Sequence, residues 1–564
     1  MCLFCRSVGP ILAAFCLASC GQPVVRGEVS PPPVADQKAA DSQLVVTGSR
    51  VNSPAQERDA MNYLPAPPPP APGMMAQIMP WSPPYHDVGR DKFTQISENP
   101  LKVARDEPVS TFSIDVDTAS YSWVRASLNQ NTMPQPDSVR TEELVNYFPY
   151  DYAPPAGTAQ PFSTNVSVMP SPWSPGRKLV RIGIKGYSVH RATRPRANLV
   201  FLIDTSGSMQ EPNKLPLVRQ SLDMLLDELD PRDTVSIVTY AGYAGTALEP
   251  TPVSHEGKIR AVIDSLGAGG STAGAEGIRQ AYNLAEANFD AKGVNRVILA
   301  TDGDFNVGIT NQEELKGYIE RERGKGVFLS VLGFGMGNYN DALMQTLAQN
   351  GNGTAAYIDT IAEARKTLVE ESSSTLFPIA KDVKIQVEFN PAAVAEYRLI
   401  GYETRLLNRD DFNNDKVDAG DVGSGQTVTA LYEVVPVGGP RATDELRYGR
   451  PVAMAAARSS ELGFVKIRYK LPKSNTSRLI STPIDGRNEV RRFADAPQDA
   501  RFAVGVAAFA ELLRGGKHSG SFSYDDVLDI ALASRGRDEF GYRNEFVQLV
   551  RAAKSARTLA QLER

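Results

Sequence analysis

Ala197-Asn198-Leu199-Val200-Phe201-Leu202-Ile203, followed by Asp204-Thr205-Ser206-Gly207-Ser208, is the stretch that decides the fold. The first seven residues form a short, almost wholly apolar run, which reads as a buried strand. The next five place a carboxylate and two hydroxyls on alternate residues where the chain leaves that strand. There the oxygens can converge on one small cation, and hard oxygen donors suit Mg²⁺, Mn²⁺ or Ca²⁺. Taken alone, Ser206 and Ser208 would serve equally well as helix caps, because short polar side chains are favoured at helix starts.

Two further segments change that balance. Gly269-Gly270-Ser271-Thr272-Ala273-Gly274 is a glycine-rich loop opening a helical stretch over 275–287, and Val297-Ile298-Leu299-Ala300-Thr301-Asp302-Gly303-Asp304 is a second buried-strand run ending in carboxylates. Between 195 and 375 strand and helix patterns alternate. Strands are expected at 197–203, 234–240, 294–301, 327–333 and 354–358, and helices at 213–229, 256–265, 275–288, 311–323, 339–349 and 361–373. The alternation predicts an α/β fold with a doubly wound, mostly parallel sheet covered on both faces. Such sheets gather ligands outside the carboxyl ends of their strands, where all three segments lie.

Together the three segments resemble the metal-ion-dependent adhesion site of a von Willebrand factor type A domain, a Rossmann-like fold. The resemblance implies that Asp204, Ser206, Ser208, Thr272 and Asp302 hold one Mg²⁺ (or Mn²⁺ or Ca²⁺), directly or through water. It also implies a protein partner whose Asp or Glu fills an open coordination position.

All four cysteines fall within the first twenty positions, so they concern targeting rather than a disulfide framework. Arg6, the apolar run Pro10 to Phe15 and Leu17-Ala18-Ser19-Cys20-Gly21 have signal-peptide anatomy, and Leu-Ala-Ser-Cys resembles a bacterial lipobox. That resemblance implies a signal peptide over 1–19, a lipidated Cys20 as the membrane anchor, and a place in the bacterial cell envelope, at the outer membrane facing periplasm or surface. Residues 20–95 are poor in apolar periodicity and include Pro65-Ala66-Pro67-Pro68-Pro69-Pro70-Ala71-Pro72, the composition of an extended tether.

Around the A domain the pattern differs. Residues 96–190 resemble the von Willebrand-factor-associated amino-terminal segment of certain bacterial A-domain proteins, with a strand near Thr111–Asp117, helices at 120–128 and 138–148, and strands at 162–168 and 179–184. Asp115 and Asp117 alternate on the first strand and are expected to face water. Residues 378–490 read as a β-rich module and 491–564 as helices, and this region resembles the carboxy-terminal domain that accompanies the same A domains. Strands on both sides of the A domain suggest one sandwich into which the A domain is inserted.

Within the β-rich module, Asp411, Asn413, Asp415, Asp418 and Asp421 recur at near-alternate positions, as in the opening of a Ca²⁺ loop. Lys416 stands where such a loop has its turn glycine, and an Asx-rich surface turn is the other reading. A net charge of −5 offers no basic footprint for nucleic acid. The four histidines, His86, His190, His255 and His518, stand beside no nucleophile motif, and the glycine-rich loop lacks the lysine of a phosphate loop. The sequence therefore leads to a cation-dependent binding protein, not an enzyme. A structural scaffold whose metal only stabilises the fold is the alternative, and metal-assisted hydrolysis a weaker one.

Overall fold

The computed structural model describes residues 91–270, 274–303, 312–444 and 461–562. The signal segment, Cys20 and the proline-rich stretch fall outside them.

The A-domain sheet has the strand order Ala355–Ile358, Val327–Phe334, Val294–Thr301, Ala197–Asp204, Thr234–Tyr240, Ala244–Pro252. The first five run parallel and the last is an antiparallel edge. That edge strand is absent from the sequence expectation, because Glu249 and three prolines and glycines interrupt its alternation. Side-chain period explains the two covered faces. Leu199, Phe201 and Ile203 point into one core with the helix Leu215–Glu228, whose Val218, Leu222 and Leu225 recur at helical spacing. Val200 and Leu202 point into the other core with Ile278, Ala281 and Tyr282 of the helix Gly274–Ala287.

That second core contains a surprise from outside the A domain. Helix Ala119–Asn129 lays Ala119, Trp123 and Ala126 on the same face. The Trp123 ring stacks on Tyr339 with centroids 5.5 Å apart and meets Tyr357 edge-on at 5.3 Å. The helix expected over 361–373 is broken into Ile361–Arg365, a π-turn Lys366–Glu370 and Ser372–Leu376.

The flanking strands form one sandwich, as their placement on both sides of the A domain suggests. One sheet runs Lys102–Val103, Val394–Ile400, Thr427–Pro436, Lys178–Gly186, Phe162–Pro170, and in the other Val109–Ser113 pairs with Pro378–Phe389 beside Glu461–Lys470 and Ser477–Asp485. Each sheet thus combines strands from before and after the A domain. Ile182 and Val434 of the first meet Ile385 and Ile467 of the second in a shared core. Three helices, Gln498–Leu513, Tyr524–Ser534 and Tyr542–Leu562, pack with Tyr121, Tyr147 and Phe148 of the amino-terminal segment.

Candidate metal centre

Asp204 ends its strand, and Asp302 follows Thr301 at the end of the neighbouring one. From the first strand the chain continues to one side at 234–240 and later returns to the other at 294–301. The two carboxylates therefore stand where the winding reverses, the place at which open α/β sheets bind ligands. Both residues are fully buried.

The loop after Asp204 is built by its own hydrogen bonds. Asp204 Oδ1 accepts the Ser206 N–H at 2.9 Å, which folds the chain back so that the Ser206 and Ser208 hydroxyls lie 3.0 Å apart. Ser206 is buried and Ser208 exposed, so the pair reaches from the sheet edge to solvent. The glycine-rich loop is fastened to this turn: Gly269 N–H donates to the Thr205 carbonyl at 2.8 Å, and Gly207 N–H to the Gly270 carbonyl at 3.1 Å. Gly270 takes φ +93° to do so, a conformation glycine adopts without penalty. Thr272 and Asp304 lie outside the described residues. The structure brings Asp204, Ser206, Ser208 and Asp302 to one edge and docks the loop that leads to Thr272.

The donor set fits a cation. Asp204 Oδ2 accepts only neutral donors among the described residues, the hydroxyls of Tyr240 and Thr301, each at 3.2 Å. Burial pushes its carboxyl up, and nearby Asp302 adds to this against the Ser206 hydrogen bonds that pull it down. A buried carboxylate is costly unless a positive charge joins it. Asp302 has such a partner, since Lys214 Nζ donates to its Oδ2 at 3.0 Å.

Asp115 and Asp117 correct the sequence reading, because both are buried rather than facing water. Arg405 donates to both oxygens of Asp115, at 2.9 and 3.0 Å, and to Asp117 at 2.7 Å. Asp117 also accepts the Ala355 N–H at 2.8 Å, joining the amino-terminal segment to the A-domain sheet. With Glu143 they form an acidic cluster whose carboxylate oxygens lie within 4.8 Å of one another. Arginines 405 and 140 already occupy it. Local alternation could not reveal this, since the partners lie hundreds of residues away.

The loop around 411–421 is dispersed. Asp411 accepts from Asn408 as a cap, Asp415 pairs with Arg468 at 3.0 Å, and Asp418 pairs with Arg323 at 2.6 Å. Asp421 is turned inward, where its Oδ1 accepts the Asp382 N–H at 3.1 Å. Asn413 ends a short 3₁₀ turn. The structure does not bring these five side chains together.

Residues 198–371 match the von Willebrand factor type A domain, 87–181 match a family described as von Willebrand factor, and 374–556 match "Uncharacterized protein YfbK, C-terminal". The protein described as "Uncharacterized protein YfbK" of Escherichia coli K12 is 43% identical over 481 residues, covering 84% of this chain and 83% of that one. The chain belongs to the YfbK family.

More distant relatives share less. Human inter-alpha-trypsin inhibitor heavy chain H4 is 27% identical over 219 residues, 36% of this chain and 23% of that protein. The solved von Willebrand factor type A protein from Catenulispora acidiphila covers 72% of this chain and 91% of its own at 14% identity, with a TM-score of 0.40. In this YfbK family member the amino-terminal, A-domain and carboxy-terminal matches correspond to segments that interleave in space. No helix among its described residues is long and apolar enough to cross a membrane.

Proposed function

We propose that this YfbK-family protein is a divalent-cation-dependent protein-binding lipoprotein of the bacterial envelope, acting in adhesion or assembly. The observation that carries the reading is Asp204: a fully buried carboxylate with neutral partners only among the described residues, beside two converging serine hydroxyls. Asp204, Ser206 and Ser208 would hold Mg²⁺ or Mn²⁺, with Thr272 and Asp302 completing the set. The ion would supply a Lewis-acidic position at which a carboxylate from a protein partner binds. The protein's own part is to bury one side of the site against Tyr240 and Thr301 and to expose the other at Ser208. Leu17-Ala18-Ser19-Cys20 and the following proline-rich tether support a lipid anchor holding this surface away from a membrane.

The test is calorimetry with Mg²⁺ and Mn²⁺, paired with capture of envelope proteins, on wild type and Asp204→Asn. Ion binding and EDTA-sensitive capture in wild type, both lost in the variant, are expected. Identical behaviour of the two proteins would overturn the reading.

A scaffold role, with the ion serving the fold alone, has one observation in its favour. Buried ion pairs such as Arg125 with Glu363 and Arg140 with Asp341 lock the A domain to its flanks. Partner capture that persists after EDTA, together with a lowered melting temperature, would mark that role. Neither reading assigns a chemical reaction to the site, and generic ester and phosphoester substrates with Mg²⁺ or Mn²⁺ should show no turnover.

A further inference from the structure

The metal-site carboxylates have a charged neighbour, a lysine ammonium held in a closely shaped slot. Lys214 Nζ lies 3.0 Å from Asp302 Oδ2, with the lysine side chain 6% exposed and the carboxylate 0%. The aliphatic stem passes over Gly335, whose φ is +74° and where an added Cβ would overlap Lys214. The lysine backbone is pinned on both sides, its N–H donating to the Glu211 carbonyl at 3.0 Å and its carbonyl accepting the Val218 N–H at 2.9 Å. The fixed backbone and the slot direct this ammonium to Asp302.

Charge decides what it does there. Asp204 and Asp302 alone would present two negative charges, which one divalent ion would cancel. With Lys214 in place the described groups hold a single negative charge in excess, and a divalent ion turns that into a single positive one. The lysine therefore repels the incoming ion, and the loaded site attracts an anion that a neutral site would not. Because the pair is buried, salt screens this weakly.

We propose that Lys214 is a tethered cation that weakens divalent-ion binding and strengthens capture of a partner's carboxylate by the loaded site. The proposal rests on the reading of Asp204 and its neighbours as an ion site. It makes Lys214 a specificity-determining residue for an acidic partner, and Gly335 the residue that admits it.

The experiment titrates the full chain with Mn²⁺ alone by electron paramagnetic resonance, then with acetate as the carboxylate probe at saturating Mn²⁺, for wild type, Lys214→Met and Lys214→Arg. Lys214→Met should bind Mn²⁺ tighter, on the order of tenfold, and acetate weaker by a similar factor, while Lys214→Arg stays near wild type. Equal or weaker Mn²⁺ binding by Lys214→Met, with wild type binding normally, overturns the proposal and leaves the ion site standing. Binding by neither protein removes the ion site and this proposal together. If Lys214→Met does not fold, Asp302→Asn is compared with Lys214→Met/Asp302→Asn, which removes both halves of the pair. The double variant should then bind Mn²⁺ more tightly than the single one, and equal affinities overturn the proposal.

Discussion

Arg140 donates to both carboxylate oxygens of Asp341, at 2.6 and 3.0 Å, from a segment that precedes the A domain to the first turn of an A-domain helix. The same guanidinium is bonded to Glu143, and all three groups are buried. One arginine thus bridges two buried carboxylates. Its fork geometry is needed for this, and lysine cannot reproduce it.

Replacing Arg140 by Met should therefore destabilise the protein by about 3–5 kcal/mol, the usual consequence of stranding a buried charge. Arg140→Lys should fall between that variant and wild type. Denaturant unfolding reads the difference, and a loss below about 1 kcal/mol for Arg140→Met would show that the pair acts like a surface bridge.

Trp123 gives a second stability prediction. The ring fills the A-domain core from outside the A domain, against Tyr339, Tyr357 and Phe93. Trp123→Ala should cost about 3–5 kcal/mol, and thermal melts should still show a single transition if the helix and the A domain unfold as one unit. Two separated transitions in wild type would argue against that coupling.

Asp204→Asn should act oppositely on the ion-free and ion-loaded protein. Without a divalent ion it removes a buried charge that lacks a cationic partner among the described residues, so the melting temperature in EDTA should hold or rise. With Mg²⁺ at about a hundredfold excess over Kd, wild type should gain about 2.7 kcal/mol and the variant nothing. An equal Mg²⁺ increment in both proteins would place the ion elsewhere.

Tyr243 is 80% exposed in the turn beside the glycine-rich loop, next to Gly242, which Gly270 approaches. An exposed tyrosine at the rim of a binding site is the type of residue that dominates protein interfaces. Tyr243→Ala should leave melting temperature and Mn²⁺ affinity unchanged and weaken partner capture about tenfold. Undiminished capture would exclude this side of the rim from the interface.

Two buried carboxyls outside the proposed ion site set a pH dependence. Burial pushes Glu142 up to about 8, with Glu403 adding to it, and burial pushes Asp421 up to about 7. Both are raised above unfolded values near 4, so their contribution is fully present below about pH 4 and is lost as pH rises through 7 to 8. Glu142 Oε2 accepts the Tyr402 N–H at 2.8 Å, a bond that a glutamine oxygen can also accept. Melting temperature should decline from pH 5 to 8.5 in wild type and decline less in Glu142→Gln. Parallel slopes would remove Glu142 as a source.

Much of the A domain was legible because its determinants are local. The runs 197–203, 234–240 and 294–301 coincide with the strands within one residue, since strands buried under helices are mostly apolar stretches bounded by polar turns. The edge strand Ala244–Pro252 was not legible, because an edge tolerates proline and charge.

For the site, chain order and residue type alone put Asp204, Ser206, Ser208 and Asp302 at one sheet edge, because strand exits in a parallel sheet are fixed by topology. What only the tertiary structure decided were the charges around them and the distant partners of buried acids such as Asp115, Asp117 and Asp341. Lys214 on Asp302, Arg405 on Asp115 and Asp117, and Arg140 on Asp341 join residues about 90 to 290 positions apart. Such pairs leave no period or spacing in a sequence, since burial of a charge is settled by whatever distant group the folded chain brings against it.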